Sequence, residues 1–196
     1  MDHRLLDLLD LLARHTRAVS LRELAGRRRR AYAAASGRYG VLAVIEGDQV
    51  AITTVSGEHL AGERLTLLPP LPPGPGRSVS LLSSAFQAAM KAYGSACDSA
   101  ETRRILRGAD VPDKDIDRVL TISREAIGSG SIGAHKGERE TAKLVGSLSY
   151  IDTARGRYAL IERTDQAGRS YTSLMPMDVT GFRQRLHELL GAELWR

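Results

Sequence analysis

Leu5, Leu8, Leu9 and Leu12 recur at helical spacing, so residues 2–14 are predicted to form an amphipathic helix. The hydrophobic period then shortens. "AVSLREL", "RRRRAYAAAS", "YGVLAVIE" and "VAITTV" read as four short strands. Ser36-Gly37 and Gly47-Asp48 supply hairpin turns, since glycine accepts the positive φ that such turns need. "YGVLAVIE" is apolar on both alternating faces, the pattern of a central strand covered on both sides. The stretch from Leu60 to Leu68 reads as a helix.

"PPLPPGPG" at 69–76 interrupts every pattern, because proline removes backbone donors and glycine adds slack. Its Pro-x-x-Pro spacing matches an SH3-type ligand, but a semi-rigid connector is the reading the composition favours. Beyond it, Ser84 is a candidate cap for a helix carrying Phe86, Ala89, Met90 and Tyr93 on one face. A second helix is expected over 99–108. A third starts near Pro112, a favoured first-turn residue, and carries Ile116, Val119, Leu120 and Ile127. "SIGAHK", "KLVGSLSYID", "GRYALIER" and "SYTSLMP" read as four more strands. The last helix begins at the cap Asp178 and aligns Val179, Phe182, Leu186 and Leu189.

Two stretches echo each other in this order. Gly37-Arg38-Tyr39 and Gly156-Arg157-Tyr158 lie 119 positions apart, and that spacing also brings Thr53 onto Thr172 and Leu67 onto Leu186 without a gap. A unit used twice predicts a pseudo-two-fold protein. In both copies, glycine is expected to turn the chain and tyrosine to start a core strand.

Composition narrows the function more than the fold. With 42% apolar residues over 196 positions the chain can bury a core, and one cysteine, Cys97, precludes an internal disulfide and fits a reducing cytosol. Asp2, Arg4, Asp7 and Asp10 interrupt the N-terminal leucines, so no signal peptide is expected, and no stretch reaches the roughly 20 apolar residues of a membrane span. The net charge of +5 permits contact with acidic partners, while 5% aromatics are too few for a base-stacking platform.

No catalytic constellation, metal site or cofactor site emerges. His3, His15, His59, His135 and His187 share no ligand spacing, and Cys97 has no local base. "GSGSIGAHKGE" at 128–138 departs from phosphate-cradling spacing and reads as a helix exit followed by a strand. Asp152-Thr153, just before a turn, suits backbone bonding rather than catalysis. In Arg27–Arg30 the side chains would alternate between two faces, with Arg28 and Arg30 beside Tyr32, giving a solvated strand end or the rim of a partner surface.

As a whole the chain resembles the EspG family, the cytosolic specificity chaperones of actinobacterial type VII (ESX) secretion. The likeness is carried by "YGVLAVIEGDQVAITTV", "LLPPLPPGPGRSVSL", "ILRGADVPDKDIDRVL", "GSIGAHKGE" and above all the tail from "SYIDTARGRY" to "RLHELL". There the family's features fall on Asp152-Thr153, Gly156-Arg157-Tyr158, Gly168, Thr172, Pro176-Met177-Asp178 and Leu186 to Leu190. Two departures stand out. Family members usually carry a longer N-terminal segment, and Ser170 and Tyr171 occupy positions near which relatives often place a tryptophan.

The resemblance implies an α+β fold: a central antiparallel β-sheet flanked by helical bundles, with internal pseudo-symmetry. One domain, 1–196, is expected, built from pseudo-repeats at about 1–68 and 82–191 joined by the linker 69–77. It implies a non-enzymatic chaperone, monomer or homodimer when free, that binds a PE–PPE heterodimer or related helical-hairpin secretion substrate, keeps it soluble and targets it for export, without nucleic acid, cofactor or membrane insertion. The alternative is a basic nucleic-acid-associated protein. Candidate partner-binding residues are Arg28, Arg30, Tyr32 and Ser36 in the first half, then Gln87, Lys91 and Arg103 on the helices after the linker.

Overall fold

The computed structural model describes residues 3–25, 28–60, 67–96, 98–137 and 141–190. Helix α1 (His3–Ala13) precedes strands β1 (Arg17–Ala25), β2 (Arg30–Ser36), β3 (Tyr39–Glu46) and β4 (Gln49–Ser56). A short 3-10 turn at Gly57–His59 follows. The second half comprises β5 (Val79–Leu82), helices α2 (Ser83–Ala96), α3 (Ser99–Gly108) and α4 (Asp113–Arg124), strands β6 (Ala126–Lys136), β7 (Lys143–Thr153), β8 (Gly156–Thr164) and β9 (Ser170–Pro176), and helix α5 (Val179–Leu190).

The fold is α+β, with nine strands in one antiparallel sheet ordered β4-β3-β2-β1-β6-β7-β8-β9-β5. Two meanders, β1–β4 and β6–β9, meet along the β1–β6 pair, where Ala18 lies opposite His135 and Leu21 opposite Ile132. Gly37 (φ 60°) and Gly47 (φ 59°) turn the β2–β3 and β3–β4 hairpins as the sequence predicts. Asp98 caps α3, accepting from the backbone N–H of Ala100 and Glu101 at 2.8 and 3.0 Å. Asp178 likewise accepts from the N–H of Gly181 at 2.8 Å at the start of α5.

Alternation along the strands sorts the core into layers. One sheet face, carrying Leu21, Ala33, Ile132, Leu148 and Tyr150, buries against Leu60, Leu68 and Phe182 of α5. The opposite face holds two separate clusters. Ala18, Ala34 and Val41 pack beneath Leu8, Leu11 and Leu12 of α1. Tyr158 and Leu174 pack beneath the α2–α4 bundle through Phe86, Leu106, Ile116 and Val119.

The proline segment is not a free connector. The carbonyls of Pro69, Pro72 and Pro75 recur every third residue, the period of an extended polyproline turn, and each is captured from β8. Arg157 donates through Nη2 to Pro69 O at 3.2 Å and through its backbone N–H to Pro72 O at 2.9 Å. Tyr158 donates its hydroxyl to Pro75 O at 3.0 Å, and Arg118 Nη2 donates to the same oxygen. The strap lies so close that a Cβ on Gly156 (φ 138°) would meet Pro72 O at 2.6 Å, and one on Gly74 would enter the Tyr158 ring at 2.2 Å. Only glycine fits at either position.

Arg157 anchors this junction. Its side chain is fully buried, donates from Nε and Nη2 to both Asp152 carboxylate oxygens at 2.6 and 2.8 Å, and lies 5.1 Å from the Tyr150 ring centre and 5.8 Å from that of Phe182. Thr153 completes the turn by donating its hydroxyl to Gly156 O at 2.8 Å, so Asp152-Thr153 has the structural role its setting suggested.

Several sequence expectations change. β5 has no counterpart among them: only four residues long, it gains its pairing from β9, about ninety positions away. Ile127 is in β6 and 61% exposed rather than on the inner face of α4, and "GSGSIG" is strand from Ala126 onward rather than a helix exit. Arg29 is buried and ion-paired to Glu23 at 3.1 Å, not part of a solvated strand end, since β2 begins only at Arg30. Tyr39 is 79% exposed whereas Tyr158 is 3% exposed, so the two Gly-Arg-Tyr copies do different work. The helix expected over Leu60 to Leu68 falls mainly outside the described residues, as do Cys97 and the side chains of Leu186 and Leu189.

Arg157→Met would leave the Asp152 carboxylate buried without its partner, so a loss of about 3–5 kcal/mol in unfolding free energy is expected. Urea titration followed by circular dichroism measures it, and adding Asp152→Leu to the same chain should restore part of the loss.

Candidate functional site

The sheet face that carries α1 and the α2–α4 bundle has a trough between them. α1 lies over β2 and β3, α2 lies against β5 and β9, and the strip along β1, β6 and β7 forms the floor. In register across it, Ser20 stands opposite Gly133, Gly133 opposite Ser147, and Ser131 opposite Ser149. These side chains are small, so a partner's backbone can approach the sheet closely.

A cavity lies at either end of this floor. One, of about 420 Å³, is lined by Ser20, Arg22, Arg30, Tyr32, Ile45 and Ser131. The other, of about 400 Å³, lies against the bundle between Phe86, Gln87, Ser147, Ser149, Leu160 and Glu162. The trough therefore brings together three of the candidate residues: Arg30 and Tyr32 on one wall and Gln87 on the other.

Tyr32 is held by two histidines. His15 is fully buried, and its Nδ1 lies 3.0 Å from Leu12 O at the end of α1, so that nitrogen donates. Its Nε2 lies 3.0 Å from the Tyr32 hydroxyl. The His135 ring lies 6.2 Å from that of Tyr32, and its Nε2 lies 3.0 Å from Ser20 Oγ. A serine–histidine contact can signal a nucleophile. Here Ser20 sits mid-strand with β2 on one side and β6 on the other, so the surrounding backbone N–H groups serve the sheet and form no oxyanion site.

The remaining candidates lie elsewhere. Ser36 lies beneath α1, beside a cavity of about 620 Å³ lined with Leu8, Leu11 and Tyr39. Arg28 is exposed just before β2, with φ 54°. Lys91 is exposed one turn beyond Gln87 on α2. Arg103 is tied to Asp117 of α4 at 2.6 Å and braces the bundle.

Arg22 is the trough residue that strand patterning alone does not single out. Only the β1–β2 register, which sets Arg22 directly opposite Arg30, reveals it. Behind the opposite face, a cavity of about 500 Å³ lies beside Glu23, Arg29, Tyr150 and Asp152. Its carboxylates are already bound to arginines, and burial pushes the Tyr150 hydroxyl well above its ordinary range, so it stays protonated. Among the described residues, no group of three or more His, Cys, Asp or Glu could hold a metal ion, and no helix is long and apolar enough to cross a membrane.

The bundle wall also carries exposed ion pairs, Arg104–Glu101 at 2.6 Å and Arg107–Asp113 at 2.8 Å. Hydrogen bonds from these arginines lower the Glu101 and Asp113 pKa values from the ordinary 4.5 and 3.8. Groups lowered in the folded state stabilise above the unfolded pKa, and that stabilisation is lost as pH falls through the folded one. The thermal midpoint is therefore expected to hold between pH 7 and 5 and to drop below about pH 4, a drop that salt flattens. Calorimetry across that range checks it.

Comparison with known proteins agrees with this architecture. The family model described as the EspG family matches residues 1–188, and the chain belongs to the EspG family. No curated protein sequence matches it. Among solved structures it is similar to the Mycobacterium tuberculosis type VII secretion system chaperone EspG5 in complex with the PE25-PPE41 dimer. That match has a TM-score of 0.71 at 15% identity and covers 97% of this chain and 78% of the other. At that identity the likeness establishes the fold.

Proposed function

We propose that this EspG-family protein is a non-enzymatic, cytosolic chaperone of a type VII secretion system. It binds the exposed tip of a PE–PPE-type helical hairpin in the trough, keeps it soluble and directs it to export. The observation that carries this reading is the trough itself: an open strip of sheet, floored by glycine and serine and walled by α1 and the α2–α4 bundle. An apolar hairpin tip is an aggregation hazard in water, and a concave surface that admits a helix closely can shield it. Family membership and the complex described for EspG5 support the class of partner. Arg30, Tyr32 and Gln87 are the candidates that face the bound segment, whereas Arg103 supports the wall.

The chain is also read as one domain built from two related halves. The mirrored strand order on either side of the β1–β6 pair supports that reading, while the unlike surroundings of Tyr39 and Tyr158 limit it to the level of strands.

Co-expression with PE–PPE pairs from the same organism tests the function. A stable co-purifying complex is expected, and it should be lost in Ser131→Trp and Ser149→Trp, which fill the floor, while Lys91→Ala retains it. A folded protein that retains no pair would refute the chaperone reading.

A further inference from the structure

We propose that Arg22 and Arg30 form a receptor for a carboxylate side chain on the apolar segment that occupies the trough, an inference that rests on the docking reading above. The two residues are direct partners in the β1–β2 register, which sets their Cα atoms about 5 Å apart. Both are exposed, and neither side chain has a hydrogen bond or ion pair among the described residues. Like charges placed opposite each other on a ladder destabilise it. Elsewhere the protein satisfies such charges: Arg29 holds Glu23, Arg103 holds Asp117, and Arg157 holds Asp152. Glu23, next along β1, is already engaged by Arg29 and points to the other face.

Surroundings fix the chemistry of the ligand. The guanidiniums border the cavity of about 420 Å³, together with Tyr32 and Ile45, and Ile45 is 44% exposed. Leu24, two residues beyond Arg22 on β1, is 57% exposed. Two planar forks on directly opposite strand positions suit a carboxylate, which can accept from each. The aliphatic rim suits a partner segment that is apolar around one acidic residue. Nucleic acid fits less well, because it needs a longer track of cations and the trough continues into neutral serines.

The test uses the full chain and the PE–PPE pair that co-purifies with it, with affinities measured by calorimetry between 50 and 500 mM NaCl. Arg22→Gln/Arg30→Gln is expected to weaken binding about 10- to 100-fold at low salt. It should flatten the salt dependence and leave the thermal midpoint of the free protein equal or higher. Arg22→Lys/Arg30→Lys should recover binding only in part, since lysine keeps charge but loses the fork.

Unchanged affinity and salt slope in the glutamine variant would overturn the receptor and leave the chaperone reading intact. Weaker binding with a lower thermal midpoint would mark the arginines as structural and overturn it as well. Wild-type protein that binds no pair would defeat both readings. Salt-sensitive binding of a 20-base-pair DNA duplex that the glutamine variant loses would overturn the carboxylate in favour of phosphate.

Discussion

The bidentate pair between Arg157 and Asp152 lies where three layers meet: the sheet, the proline strap, and α5, whose Phe182 packs on Tyr150. A guanidinium can be kept there because a carboxylate and a backbone carbonyl replace much of the water it gave up. The carbonyls of the strap have no strand of their own to pair with. They depend on Arg157 and Tyr158, and those residues depend on glycine at 74 and 156 for their approach. With that junction closed, the strap ends at β5 and delivers the chain directly into α2, which forms one wall of the trough. One wall of the trough is thus positioned by parts that are held in place on the other side of the sheet.

The trough also explains why the core divides as it does. Apolar side chains cover one sheet face continuously, but on the second face they gather at the two ends, under α1 and under the bundle. The middle strands carry serine and glycine on that side. Continuous hydrophobic packing there would have drawn the helices together and closed the surface. Its absence leaves a concave floor flanked by two rigid walls.

Much of this was legible from local pattern. β3, β9 and α3 lie where periodicity and turn chemistry predict them, and the Asp178 cap follows from side-chain chemistry close in sequence. What escaped was long-range. β5 is too short to display alternation, and the first half of β6, Ala126 to Gly130, is so rich in glycine and serine that only its SIGAHK half reads as a strand, although the strand forms the seam of the sheet. Arg29 looked like one member of a solvated run because nothing local tells that Glu23 folds back onto it. Of the residues that line the trough's cavities, Arg30, Tyr32 and Gln87 are among those named from the sequence, whereas Arg22 became visible only through its cross-strand partner. Gly-Arg-Tyr was the most visible repeat, yet only its second copy is buried.

The strap and the seam share one further property: both join residues far apart along the chain. Ser20 meets Gly133 across the seam, and Pro69 meets Arg157 at the strap. Contacts of such separation form late, after the loop between them has been ordered. On the ribosome, then, β1 lacks its second neighbour until residues near 136 have left the exit tunnel, and the proline segment must wait for residues near 157. Until the seam closes, β1 is an open sheet edge, itself exposed to premature association.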